Sequence, residues 1–303
     1  MTGDGTMRAT TGAAPAGYAR PRPRWLRQLR AQARFGLDHL LAIFAALLFV
    51  YPLVWLLSAS LKPAWQIYRQ PLALIPDGAT AEVYRRIFTT TPFPTYLQNS
   101  LIYAVGGTLL TIVVAMLAAY GLSRHEFRGK QTAMLLILTV QLMPALISAI
   151  PVYILMQRLG LFNTQAGIVL LYGAVSIPFG VWVLKGYLDT IPKELDESAW
   201  IDGASKLLTL WRILVPVIVP GLASLFIILF VGKWNEFAMA SILLRDTGLF
   251  PLTVGTYTLL GPDESDFRLT AAASLINIVP ILLVFLGLQR YLIAGLTAGS
   301  VKQ

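Results

Sequence analysis

Glu194, Asp196, Glu197 and Asp202 place four carboxylates within nine residues of a 303-residue chain. What chemistry they offer depends on their company, and that company excludes most of it. There is no cysteine, so disulfides, thiolate zinc sites and cysteine nucleophiles are ruled out. The two histidines, His39 and His125, are far apart, which argues against a histidine metal site. No carboxylate pair sits where glycoside chemistry would need it, and no nucleophile motif appears. No Gly-x-x-x-x-Gly-Lys-Ser/Thr loop occurs, so the chain has no P-loop with which to hydrolyse nucleotide. The acidic group is left with contact rather than catalysis, and no enzyme activity is expected.

The segment around these residues is patterned to fold. Pro192 suits a first helical position, and Glu194 falls in the first turn near the positive end of the helix dipole. Leu195 and Ala199 share a face at i and i+4, with Asp196, Glu197 and Trp200 around it. Gly203 is a natural C-terminal stop, and Ser205 can cap a second helix that runs through Trp211 and Arg212. The first helix is about ten residues, ~15 Å long, and too short to be stable alone. A partner groove would supply what it lacks.

The rest of the chain must carry this helix on a membrane. Apolar residues make up 56% and charged residues 13%, at a mean hydropathy of +0.66. Soluble domains run near 25% charged, so the chain reads as an all-α, polytopic membrane bundle. A bilayer core needs about 20 apolar residues per helix. Six such runs are present: Leu40 to Leu61, Asn99 to Ser123, Gln131 to Gln157, Ala166 to Leu184, Ile213 to Gly232 and Leu269 to Gln289. The net charge of +9 would suggest nucleic acid in a soluble chain, but the basic residues cluster at the ends of apolar runs. No nucleic-acid partner is expected. Sixteen of the lysines and arginines fall on the side of the two termini and eight on the other, in longer loops. The positive-inside rule then predicts both termini in the cytoplasm. The first apolar run is too long for a signal-peptide core and has no small-residue cleavage site, so it reads as a retained helix. Residues 1–36 form a basic tail, largely disordered, and 37–303 the six-helix membrane domain with its loop at 189–216.

Prolines interrupt most runs: Pro52, Pro144, Pro151, Pro178, Pro216, Pro220 and Pro280. Two readings stand, an ordinary feature of membrane helices or a bundle that moves around a pathway. The centres of the six runs hold no ionisable residue, only neutral groups such as Gln141, Ser148, Ser176, Ser224 and Asn277. A carrier driven by an ion gradient usually needs a mid-membrane charge. If transport is driven, the motor is a separate subunit. A stand-alone secondary carrier for a small polar solute is the alternative.

The loop resembles the EAA loop of the membrane subunits of ABC importers. Glu197-Ser198-Ala199 is followed by Gly203 six residues after Glu197, then Ile213-Leu214-Val215-Pro216. Ser198 and Val215 depart from the family pattern and keep its size and character. Asn99-Ser100, Trp234-Asn235-Glu236-Phe237 and the tail Gln289-Arg290-Tyr291-Leu292 to Gly295-Leu296-Thr297-Ala298-Gly299 are similar to the carbohydrate-uptake branch, in particular the second, six-helix permease of the maltose-transporter type. The resemblance implies a permease subunit that forms half of an alternating-access pathway for a sugar or oligosaccharide in the bacterial inner membrane. It implies a heterodimer with a related permease, two cytoplasmic ATPase subunits and an extracytoplasmic solute-binding protein. No cofactor is implied in this chain; ATP and Mg would be used by the partners.

The resemblance makes Glu194, Glu197, Ser198, Ala199, Asp202 and Gly203 an ATPase-docking surface. Gln141, Trp234, Asn235 and Asn277 are candidate pathway-lining residues. Trp234 could equally be an interfacial belt residue, and Gln141 and Asn277 could only bond a neighbouring helix. Lys233 reads as an anchor at the lipid boundary. The loop Lys233 to Arg268 is long for a helix connection and contains an apolar segment, Gly248 to Val254. Its tip, Gly255 to Asp266, is expected to touch the binding protein through Thr256, Tyr257, Gly261 and Asp263. Folding back onto the ends of the helices is the other reading.

Overall fold

A backbone in hydrocarbon must satisfy its own hydrogen bonds, so the apolar runs can only be helices. The computed structural model describes residues 24–69, 73–144, 146–258 and 266–300, and every regular element among them is helical. In order these are α1 (Arg24–Leu61), α2 (Ala64–Arg69), α3 (Glu82–Thr90), α4 (Phe93–Arg124), α5 (Lys130–Gln141), α6 (Ala149–Arg158) and α7 (Gln165–Asp189). Then come α8 (Glu194–Ile201), α9 (Lys206–Thr209) and α10 (Val215–Val217), the last two joined by a π-helical turn at Leu210–Leu214. α11 (Val219–Trp234), α12 (Ala238–Leu243), α13 (Leu252–Thr258) and α14 (Phe267–Ser300) complete the order.

Among the described residues, four helices are long and apolar enough to cross a bilayer: Gly36–Leu61 of α1, α4, α7 and Phe267–Tyr291 of α14. Lys206–Val217 and Val219–Trp234 make a fifth if this pair, bent by 81°, is one span. The expected continuous run from Gln131 to Gln157 is corrected. It is two helices, α5 and α6, of 12 and 10 residues, each too short to cross alone. Pro144 gives the reason. It has no N–H to donate and disfavours helical backbone in the residue before it, so α5 stops at Gln141. Pro151 sits in the first turn of α6, where a missing N–H costs nothing. Pro52, Pro178 and Pro280 lie inside continuous helices.

The described residues fall into two units, one ending at Pro52 and the other beginning at Leu53. In the first, the large apolar side chains from Leu37 to Tyr51 are exposed. The second contains three cores. One gathers Met116, Leu184, Leu188, Leu210 and Leu214 from α4, α7 and the α9–α10 segment. Another holds Phe93, Phe230, Trp234 and Leu252, with the rings of Phe226, Phe230 and Trp234 in a stack. The third is built on Tyr103, Tyr172, Leu243 and Val254.

α4 and α7 form the closest pair, and small residues make this possible. A Cβ on Gly173 would lie 2.4 Å from Leu110 Cδ2, and one on Gly107 would lie 2.9 Å from Tyr172 Cβ. Thr111 Oγ1 donates to the carbonyls of Gly107 (2.8 Å) and Gly173 (2.9 Å), tying the two backbones together. Gly173→Val should therefore overpack the seam and cost about 1–3 kcal/mol. The detergent-purified protein should lose its monodisperse peak at a lower temperature than the parent, and an unchanged melting profile would contradict the tight seam.

Candidate functional site

The loop after α7 folds as its carboxylates and glycine require. Three acids, Glu194, Asp196 and Glu197, occupy the first turn of α8 at the favourable end of its dipole. At the other end Gly203 takes φ +85°, the left-handed region that a residue with a Cβ rarely enters. Gly203 N–H donates to Trp200 O (3.0 Å) and Ala204 N–H to Ala199 O (2.9 Å), the paired bonds of a Schellman motif. Ser205 Oγ then accepts from Leu208 N–H (3.3 Å) and caps α9.

The face that α8 buries includes one of its acids. Leu195 and Trp200 are exposed, while Asp196 and Ala199 are buried. Asp196, 1% exposed at its side chain, meets Arg124, 3% exposed, from the last turn of α4, with Oδ2 2.9 Å from Nε. The approach is close but lacks the alignment of a hydrogen bond. Arg124 Nη1 also donates to Leu188 O at the end of α7 (3.0 Å), satisfying one of the carbonyls that a helix C-terminus leaves free. Next to it Ser123 Oγ donates to Asp189 Oδ1 (2.6 Å), and Lys185 pairs with Asp189 Oδ2 at 2.5 Å. Three elements, α4, α7 and α8, are thus joined at one point by charge. Sequence reasoning missed this junction, because Arg124 and Asp196 are 72 positions apart and neither carries a local signal for the other. With Asp196 turned in, Glu194, Glu197, Ser198, Asp202 and Gly203 are left on the exposed side, and Ala199 is buried within the chain.

At the Trp234 end the sequence-selected residues separate. Trp234 is 1% exposed, and its Nε1 donates to Asn277 Oδ1 (2.6 Å) and Asn277 O (3.1 Å), joining α11 to α14. Asn235 is exposed and bonds back to Val231 O, and Gln141 is exposed at the end of α5. Thr256 is half-buried and Tyr257 exposed; Gly261 and Asp263 lie outside the described residues. The segment before them folds back. Asn99 Nδ2 donates to Gly248 O (2.9 Å) and Phe250 O (3.0 Å), Tyr103 Oη to Leu249 O (2.7 Å), and Ser100 Oγ accepts from Leu252 N–H (2.7 Å).

Lys233 corrects a further expectation. It is not a boundary anchor but 7% exposed, with Nζ donating to Ser176 Oγ at 3.0 Å. Ser176 is the twelfth of the 25 residues of α7, so the ammonium reaches the middle of a spanning helix. A lysine at that depth costs about 2.5–3.5 kcal/mol. Beside it Glu236 accepts from Tyr172 Oη (2.5 Å) and from the backbone N–H groups of Met239 (2.7 Å) and Ala240 (3.1 Å). A cavity of about 200 Å³ lies over these groups. Among the described residues, no cluster of three His, Asp or Glu could hold a metal ion.

Comparison with known proteins fits this architecture. The chain is 32% identical over 275 residues to the inner membrane ABC transporter permease protein YcjP of Escherichia coli, covering 90% of this chain and 98% of the relative. It is 33% identical over 264 residues to the trehalose/maltose transport system permease protein MalG of Thermococcus litoralis, covering 86% and 94%. A chain from the crystal structure of a bacterial ABC transporter that imports the acidic polysaccharide alginate superposes with a TM-score of 0.75 at 25% identity, over 87% of this chain and 98% of that one. Residues 88–297 match one family throughout. The chain is a multi-pass inner-membrane protein, and it belongs to the family of binding-protein-dependent transport system inner membrane components.

Proposed function

We propose that this chain is one of two related membrane halves of an ATP-driven importer for a sugar or oligosaccharide, and that α8 is the element on which an ATPase subunit acts. The observation that carries the reading is the division of labour within α8. Asp196 is held inward by Arg124, while Glu194, Glu197 and Asp202 stand outward with Gly203 closing the helix. An eight-residue helix with an acidic outer face and an ionic root is suited to receive a basic groove and pass its motion to α4 and α7. The sugar assignment is supported by the relatives, whose names specify trehalose/maltose and alginate. The full complex would add a sister permease, two ATPase subunits on the α8 side and a solute-binding protein on the other. The exposed apolar face of α1 from Leu37 to Tyr51 is suited to lipid or to the sister subunit.

The chain purified alone should transport nothing, and the reconstituted complex should import saccharide only with ATP and the binding protein. Glu197→Lys places a cation where the groove expects an anion. It should strip the ATPase subunits during purification and reduce uptake at least tenfold, with the helices still folded. Normal uptake and association would remove α8 from the docking role. Because the chain has no cysteine, orientation can be read directly. A thiol at Lys206→Cys should be labelled only from the cytoplasm and one at Ala79→Cys only from outside; the reverse pattern would invert the assignment.

A further inference from the structure

Among the described residues, the ammonium of Lys233 has a single neutral oxygen, Ser176 Oγ, within hydrogen-bond reach. Its stem is fixed, because a Cβ on Gly107 would touch Lys233 Cδ and Cε at 3.1 Å. The head therefore points one way, into the 200 Å³ cavity lined by Leu171, Tyr172, Ser176, Glu236 and Met239. The cavity opens to one side past Val175 and Ile228, both exposed. Among its groups, Glu236 is already engaged: both carboxylate oxygens accept hydrogen bonds, from Tyr172 and from two backbone N–H groups. Lysine carries three donors, and two of them remain for something that enters.

We infer that this cavity is a substrate subsite that selects a saccharide bearing a carboxylate, with Lys233 as the group that pairs with it. The inference rests on the importer reading above and names the substrate class of that pathway. A buried cation facing a cavity is satisfied best by an anion, since charge-assisted bonds are about twice as strong as neutral ones. Lys233 and Glu236 line the same cavity, so a singly charged carboxylate that pairs with the ammonium is repelled less by Glu236 than a doubly charged phosphate would be. At about 30 Å³ of liquid volume per water molecule, the space of about 200 Å³ is that of about seven waters, enough for one sugar ring. A neutral sugar would leave the ammonium with hydroxyl partners only, and a site whose buried groups stay underpaired discriminates strongly.

The test is direct binding to the assembled transporter in nanodiscs, without the binding protein, by calorimetry. The probes are trigalacturonate and the same trimer with its carboxyls reduced to hydroxymethyl groups. The acidic trimer should bind at least tenfold tighter than the reduced one, Lys233→Gln should bring the two within twofold, and Lys233→Arg should keep the preference. Equal affinities in the parent, binding of neither trimer, or a preference that survives Lys233→Gln would overturn the inference. If Lys233 were only a strut between α11 and α7, Lys233→Gln would weaken both trimers alike or lower the melting temperature without changing the ratio. Uptake of neutral oligosaccharides by the parent would keep the importer reading while rejecting the acidic one; failure to import any saccharide would reject both.

Discussion

Arg124→Met should detach α8 and stop transport, Asp196→Leu should do the same, and the two together should restore much of what each removes. The singles each leave one full charge buried without its partner, which costs about 3–5 kcal/mol. α8 is eight residues long and has Asp196 and Ala199 as its buried positions, so it has little else to hold it against such a loss. The double variant removes both charges, and replacing a buried pair by apolar groups is often neutral or better. The sign of the cycle is thus the content of the prediction. Two readouts follow it: protease sensitivity of residues 190–205, and retention of the ATPase subunits on purification. Additive losses, or silent single variants, would show that the 2.9 Å contact does not hold the helix. The pair also predicts where force goes, since Arg124 bonds Leu188 O as well and a push on α8 reaches α4 and α7 together.

How much of this was legible in the sequence depends on how local each feature is. The stop at Gly203 and the cap at Ser205 are local, set by a missing Cβ and by one hydroxyl, and both stand where they were expected. The apolar runs were readable as helices, but hydropathy measures how far the apolar stretch extends and not whether the backbone is continuous. Gln131 to Gln157 stays apolar on both sides of Pro144, so composition did not mark the break that backbone chemistry imposes. Periodicity puts Leu195 and Ala199 on one face of α8, yet Leu195 is exposed and Asp196 is buried beside Ala199. A distant arginine overrode it by giving Asp196 a partner one position away. Lys233 departs from its expected place for a related reason. A lysine stem near a helix end can snorkel to the surface or fold inward, and only the neighbouring Ser176 and the bare Gly107 decide which.

Asn99→Asp is expected to release the segment Gly248–Leu252 from α4 by a change of one heavy atom. Asn99 is 2% exposed, and its amide nitrogen is the donor to two carbonyls, Gly248 O and Phe250 O. Its oxygen accepts from Gln165 Nε2 at 2.9 Å. A carboxylate keeps the bond from Gln165 but turns both donor contacts into oxygen facing oxygen. Gly248 is exposed and its carbonyl can turn to water, whereas the half-buried Phe250 carbonyl loses its donor at a cost of up to about 1–3 kcal/mol, before the buried charge is counted. Tyr103 and Ser100 contribute one bond each to the same segment and cannot replace the lost pair. Under our assignment of Thr256 and Tyr257 to binding-protein contact, the loosened segment would no longer present them. Stimulation of ATP hydrolysis by the binding protein should then fall while basal hydrolysis continues. Limited proteolysis should open a new site between Leu244 and Thr258. If the segment stays protease-resistant at neutral pH, the clasp by Asn99 is not what holds it to α4.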